Sequence, residues 1–361
     1  MRKTLLYLRK NPLAVLLVAI PLALIAEAAP FGPVWVFGLS ALAVIPLAGY
    51  IGEATESLAA YTGPKIGGLL NATLGNAAEL IITLTAIRAG LLDLVKASIT
   101  GSILGNLLLV LGFAMVTGGL KHGIQKFDRR HTSNHVVLLT LTIIALVIPS
   151  LFSHSIGLNS DPKVEALSLG VAIVMIVLYV IGLVYSLKFS SPVTFEPPAD
   201  EKKHTGFDRK TALIILALAT GGVVWMSELL VGATEHVVSS LGLSEFFLGI
   251  ILIPIVGNVA EHLVAVQVAL RNKMELSVEI AISSSLQVAL FVAPLLVFVS
   301  LAFGNPLQLI FNQFELIALG AAVIIVGLVA SDGESNWLEG AALLAVYLIL
   351  GLAFFLLPGA N

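Results

Sequence analysis

The chain has 361 residues, of which 58% are hydrophobic and 11% charged, with a mean hydropathy of +1.02 and a net charge of −3. A soluble domain carries about 25% charged residues, so the composition excludes one and points to a chain threaded repeatedly through a lipid bilayer. No basic surface is left over to serve nucleic acid, and the absence of cysteine excludes disulfides, thiolate metal sites and cysteine nucleophiles.

A helix needs about 20 apolar residues to cross a bilayer. Eleven runs qualify, over residues 11–29, 33–61, 66–88, 92–118, 132–152, 165–187, 210–240, 245–269, 273–302, 307–330 and 337–357. Strand-length alternation is absent, so the expected class is an all-α integral membrane protein with eleven transmembrane helices. Ahead of the first run lie Arg2, Lys3, Arg9 and Lys10, and it ends in Ala26-Glu27-Ala28, which resembles a cleaved signal peptide. Pro12 and Pro21 interrupt that run, and a retained first helix is the expectation. One long polar stretch, Ser190 to Lys210, carries Pro192, Pro197 and Pro198 and reads as a linker between two halves.

Basic residues set the orientation, because loops on the inner face collect Lys and Arg. With the N-terminus inside and eleven alternating spans, sixteen of the nineteen basic residues fall inside, and only Arg88, Lys96 and Lys163 outside. The expected topology is therefore a cytoplasmic N-terminus, a cytoplasmic linker and an external C-terminus.

One phrase occurs twice. Gly75-Asn76-Ala77-Ala78-Glu79 lies in the third run, and Gly257-Asn258-Val259-Ala260-Glu261, followed by His262, in the eighth, 182 residues later. At the same offset Gly67 matches Gly249, Leu70 matches Leu252, Ser102 matches Ser284 and Leu108 matches Leu290. Spans 2–6 and 7–11 then form two units of five. Five is odd, so the second unit enters the membrane with opposite polarity, and the first span stands outside the duplication. The expected organisation is a peripheral helix over 1–32, a first repeat over 33–189, a cytoplasmic linker over 190–209 and a second repeat over 210–361.

Inverted repeats are the mark of secondary transporters, whose sites lie near the bilayer midplane. A carboxylate deep in an apolar helix is costly and is a functional-site hypothesis by default. Each motif places an amide and a carboxylate at i and i+3, on one helix face. Gly67, Gly68 and Gly75, and Gly249, Pro254 and Gly257, are candidates to interrupt their helices. Close packing is the preferred reading for Gly67, Gly68 and Gly249, and a site role for Gly75 and Gly257, which adjoin the motif asparagines. Ser102, Ser284 and Gln287 fall on neighbouring spans, as site lining or as helix-to-helix hydrogen-bond formers, with Asn106 a weaker candidate. This oxygen-rich set suits a hard divalent cation. Two carboxylates neutralise such an ion, and protonation relieves their repulsion once it leaves, so ion and protons compete for the same oxygens. Ala54-Thr55-Glu56 and Ala233-Thr234-Glu235 echo each other, placing Glu56 and Glu235 as pathway residues near opposite faces. His262, beside Glu261, is placed to tune that acid or pass protons. Glu279 and Glu315 fall near span starts, where solvated head groups are expected. Asp332, Glu334 and Glu339 either gather cations or cap and solvate the loop before the last span.

The stretches Gly67–Ile82, Gly101–Gly112, Gly257–His262, Ser284–Phe291 and Asp332–Gly340 together resemble the calcium/proton exchanger family of the calcium:cation antiporter superfamily, in the family's order. The resemblance implies calcium as transported substrate with no cofactor, no enzymatic activity, and Glu79 and Glu261 as the acids that take ion or protons. It implies that Asn76, Asn258, Ser102, Ser284 and Gln287 line the site, that the first span is peripheral, and that identical chains assemble as oligomers in many members. The compact form points to the cell membrane. Alternatives are a sodium/calcium exchanger, a proton-coupled exchanger of another divalent ion such as manganese, and, more remotely, a cation channel. A channel needs a continuous polar lining that two glutamates do not supply.

Overall fold

The computed structural model describes residues 12–29, 31–156, 162–189 and 206–357. Helices dominate them. Eight are long and apolar enough to cross a membrane: Pro33–Thr62, Leu92–His122, Arg129–Ser153, Pro162–Tyr185, Arg209–Leu241, Glu245–Leu270, Met274–Ala302 and Trp337–Leu356. Leu13–Ala28 and Gln313–Val329 are shorter apolar helices. The basic cluster ahead of the first span and most of the linker, 190–205, lie outside the described residues.

The first run begins as a 3₁₀ stretch, Pro12–Val18, and continues as α1, Ala19–Ala28. Pro21 falls in the first turn of α1. Next comes α2, Pro33–Leu74, helical throughout where a loop over 62–65 is expected from sequence. The chain nonetheless folds back there. A Cβ on Gly67 would lie 2.9 Å from the carbonyl oxygen of Ala59. Residues eight apart in a straight helix are separated by about 12 Å, so α2 bends sharply between them. The surroundings of Gly68 lie outside the described residues.

After a turn at Gly75 and Asn76 the chain resumes as α3, Ala77–Arg88. Then follow α4 (Leu92–Leu104), a π-helical segment (Gly105–Val110) and α5 (Leu111–His122). Two long helices, α6 (Arg129–Ile156) and α7 (Pro162–Phe189), precede the linker. After it come α8 (Arg209–Leu241), a short turn with a second π segment (Leu248–Leu252), and α9 (Ile253–Leu270). The helix α10 (Met274–Gln287), a third π segment (Val288–Val292) and α11 (Ala293–Ala302) repeat the pattern of α4 and α5. Leu92 and Met274 open matching helices, and Leu111 and Ala293 resume them, each pair at the spacing of the motif repeat.

The last helices are α12 (Gln313–Val329) and α13 (Trp337–Leu356). The expected span from residue 307 starts later, at Gln313. Gly304 adopts a φ of +73° and Pro306 offers no backbone donor, so the preceding helix cannot continue. Residues 307–311 run without helix or strand, burying Leu307, Leu309 and Phe311, and three serines satisfy the N–H groups of those three: Leu307 donates to Ser300 (2.7 Å), Leu309 to Ser168 (3.2 Å) and Phe311 to Ser150 (2.9 Å). A two-residue antiparallel ladder, Gln125–Lys126 (β1) with Glu334–Ser335 (β2), was not expected from sequence. Its residues are too few to show alternation.

By contacts the chain forms two compact units. Unit 1 comprises residues 1–85, 191–245 and 256–260, and in it α2 packs along α8. Ser57 ties the end of the linker to α2: its Oγ donates to the Glu53 carbonyl (2.7 Å) and accepts from the Phe207 N–H (3.0 Å). Asp208 caps α8, and hydrogen bonding from the Thr211 side chain and then its N–H holds its carboxyl below the usual range. Unit 2 comprises residues 86–190, 246–255 and 261–361. Its helices meet through small residues. A Cβ on Gly340 would stand 2.6 Å from the Val116 nitrogen, and one on Gly249 2.7 Å from the Ala97 Cβ.

Candidate ion-binding residues

In unit 1 the Gly75-Asn76 turn separates α2 from α3 and puts Glu79 in the first turn of a new helix. A helix N-terminus favours a negative charge. The interruption is shallow, since the Gly75 N–H still reaches the Asn71 carbonyl at 2.8 Å. The Glu79 side chain is buried, as are Asn76 and Asn258. Asn258 Nδ2 donates to Glu79 Oε2 at 3.4 Å, so the amide of one motif faces the carboxylate of the other. Gly257 lies against Glu79 as well: a Cβ there would be 3.6 Å from the Glu79 Cβ, an ordinary contact. Unlike Gly75, Gly257 sits inside an unbroken helix, α9, and the irregular segment of that span falls earlier, at Leu248–Leu252. The expectation that Gly257 interrupts its helix is therefore corrected. Pro254 is the second residue of α9, directly after the π segment Leu248–Leu252.

In unit 2 three polar side chains form a chain. Asn106 Nδ2 donates to Ser284 Oγ at 3.1 Å, and Ser284 Oγ donates to Glu261 Oε2 at 3.0 Å. Asn106 occupies the first π segment and Ser284 the last turn of α10, so a hydroxyl holds one carboxylate oxygen in place. Ser102 is buried on α4, and Gln287, half-buried, is the last residue of α10. Two π segments adjoin these residues, one holding Asn106 and one following Gln287, as π-bulges often do at functional sites. The Nε2 of His262 is buried and has no hydrogen-bond partner among the described residues.

Glu56 and Glu235 are exposed side chains of α2 and α8 in unit 1, while the neighbouring Thr55 and Thr234 are buried. Two acids contradict the expectation of solvated heads. Glu315 is only 2% exposed, accepts a hydrogen bond from Thr100 Oγ1 at 3.0 Å and forms a reciprocal cap with Asn312 on α12. Glu279 is held by His131, His135 and Ser283. Near the last span, Glu339 caps α13 with Asn336, and Asp332 accepts from the Glu334 N–H.

Sequence reasoning undervalued Asn106 and missed the Glu315–Thr100 pair and the grouping around Glu279. Their partners lie far off in the chain, where no periodicity reports them. Chemically, the two units offer carboxylate, amide and hydroxyl oxygens, the donor types that hard divalent ions take.

A family model described as "Sodium/calcium exchanger protein" matches residues 32–188 and 211–356. A "Ca(2+)/H(+) antiporter" of Aphanothece halophytica is 44% identical over 357 residues, covering 95% of this chain and 96% of that one. The "Ca(2+)/H(+) antiporter ChaA" of Bacillus subtilis is 44% identical over 345 residues, covering 94% and 97%. Among solved structures, native YfkE superposes with a TM-score of 0.84 at 42% identity, covering 96% of this chain and 100% of that chain. The H+/Ca2+ exchanger CAX, 18% identical with a TM-score of 0.75 over 96% of this chain and 92% of that chain, shares the fold.

Proposed function

Because the chain belongs to the sodium/calcium exchanger protein family, we propose that it is a secondary antiporter that exports calcium from the cytoplasm in exchange for protons. It is a multi-pass membrane transporter and not an enzyme. Relatives named as calcium/proton antiporters match nearly its whole length at 44% identity, which supports the choice of ions. The observation that carries the reading is the buried carboxylate of Glu79 faced by the Asn258 amide, and Glu261 held by Ser284, which in turn accepts from Asn106.

Two carboxylates supply two negative charges, the charge of one calcium ion, and protons take the ion's place when it leaves. Asn76, Asn258, Ser102, Ser284 and Gln287 supply neutral oxygens, Gly75 and Gly257 set the local backbone, and Glu56, Glu235 and His262 belong to the access routes. The common spacing of the motifs and of their neighbouring helices supports two five-helix repeats, 33–189 and 210–361, joined by a linker over 190–209 and preceded by a separate first helix over 1–32. Eleven spans with the N-terminus inside and the C-terminus outside fit the distribution of basic residues, with the cell membrane as the location. Alternating access then exposes the acids to one side at a time.

Purified protein in proteoliposomes with an imposed proton gradient tests this. Calcium should accumulate on the acidic side, with manganese, magnesium and sodium scanned in parallel. Uptake that follows a sodium gradient and ignores a proton gradient would overturn the assignment. Competition for shared oxygens also requires apparent calcium affinity to fall as pH drops.

A further inference from the structure

One cluster of metal-binding side chains in unit 2 plays no part in the proposed exchange. His131 and His135 stand at i and i+4 in the first two turns of α6, so both rings leave one face of the helix. Glu279 comes from α10, which packs against α6. Its Oε2 lies 3.0 Å from His131 Nε2 and 3.4 Å from His135 Nδ1, and one ligand atom from each of the three falls within 4.8 Å of the others. The imidazole centroids are 4.5 Å apart and inclined at 60°, so the rings are not stacked face to face. The three side chains are 22%, 17% and 30% exposed, sheltered yet open to an entering ion.

These separations suit a common ion. Tetrahedral metal–ligand bonds of about 2.0–2.2 Å put neighbouring ligand atoms about 3.3–3.6 Å apart. The Glu279–His135 distance falls in that range, and the Glu279–His131 distance is about 0.3 Å short of it. Two imidazoles and one carboxylate leave a fourth position for water, as in open zinc sites. Imidazole nitrogen favours zinc, copper or nickel, whereas calcium takes six to eight oxygens. Glu279 is also held from behind: Ser283 Oγ donates to its Oε1 at 2.9 Å, the kind of outer contact that orients a metal-binding carboxylate. The nearby Asp128 is engaged elsewhere, accepting from the Arg130 and His131 N–H groups at 2.8 and 3.0 Å.

We propose that His131, His135 and Glu279 bind a divalent ion of the zinc class, separate from the transported ion, and that this ion bridges α6 to α10. The bridge bears on transport through α10 itself: Ser283, which holds Glu279, adjoins Ser284, which holds Glu261.

The test uses the full chain, purified in detergent, with Co2+ as a spectroscopic probe and Zn2+ as competitor. One equivalent of Co2+ should give the visible absorption of a low-coordinate site, Zn2+ should displace it, and excess calcium should not. His135→Gln and Glu279→Gln should each weaken Co2+ binding by about tenfold or more, while Glu261→Gln keeps the spectrum. Size-exclusion profiles check folding. X-ray absorption on zinc-loaded wild-type protein requires no variant and should show two imidazole ligands. An all-oxygen shell, a spectrum unchanged in both folded variants, or one lost in Glu261→Gln, would each overturn the proposal.

Discussion

Gly101 offers a sharp test of how α4 meets the second π segment. A Cβ built on Gly101 would fall 2.0 Å from the Ile250 carbonyl oxygen, 2.6 Å from its carbonyl carbon and 2.7 Å from Pro254 Cγ. Ordinary contact begins near 3.4 Å, so Gly101→Ala forces the backbones apart by about 1.4 Å. Backbone cannot swing aside as a side-chain end can, and such overpacking costs about 1–3 kcal/mol. In a thermal melt followed by size-exclusion chromatography, the midpoint should fall by about 5 °C. Gly105→Ala, one turn further along with nothing within 4 Å of its Cβ, is the control and should melt within about 1 °C of wild type. Calcium uptake should fall in Gly101→Ala as well, because Ser102 follows it and Ile250 leads into the helix that carries Glu261. If Gly101→Ala melts with the wild type, the close approach is wrong and so is the packing argument built on it.

Three further outcomes follow from the polar contacts. Ser284→Ala strips a donor from Glu261 and an acceptor from Asn106, so apparent calcium affinity should fall by about tenfold, the equivalent of one charged hydrogen bond; Ser284→Thr keeps the hydroxyl and should restore most of it, and equal loss in both would deny the hydroxyl its role. Asn258→Ala should raise the calcium concentration for half-maximal uptake while sparing proton-dependent steps, read from the pH profile at saturating calcium. Asn312→Ala removes the side-chain cap of α12 and should cost about 1 kcal/mol; an unchanged melting midpoint would show that the Glu315 contacts alone fix that helix start.

Much of this was written in the apolar pattern, because a bilayer permits few backbone arrangements and leaves long uniform runs. The helices that carry Ser102 and Ser284 begin and resume at the spacing of the duplicated motif. The pattern placed a reversal between the runs 33–61 and 66–88, where α2 bends, but could not report that the backbone stays helical through it. Nor could it report the irregular 307–311 segment, whose N–H groups depend on serines more than a hundred residues away for two of their three partners. Glu279 and Glu315 were misread for the same reason: an acid near a span end looks solvated until its distant partner is known. The duplicated phrase was legible for the opposite reason, since it carries its own register and needs no partner to be seen.

The account turns on Glu79 and Glu261 as the groups that take calcium or protons. The direct measurement is calcium/proton exchange in proteoliposomes by Glu79→Gln and Glu261→Gln, which keep the side chain's shape and remove its charge. Each folded, membrane-inserted variant should lose exchange in both directions. A Glu79→Gln protein that exchanges calcium for protons at near the wild-type rate would contradict the account.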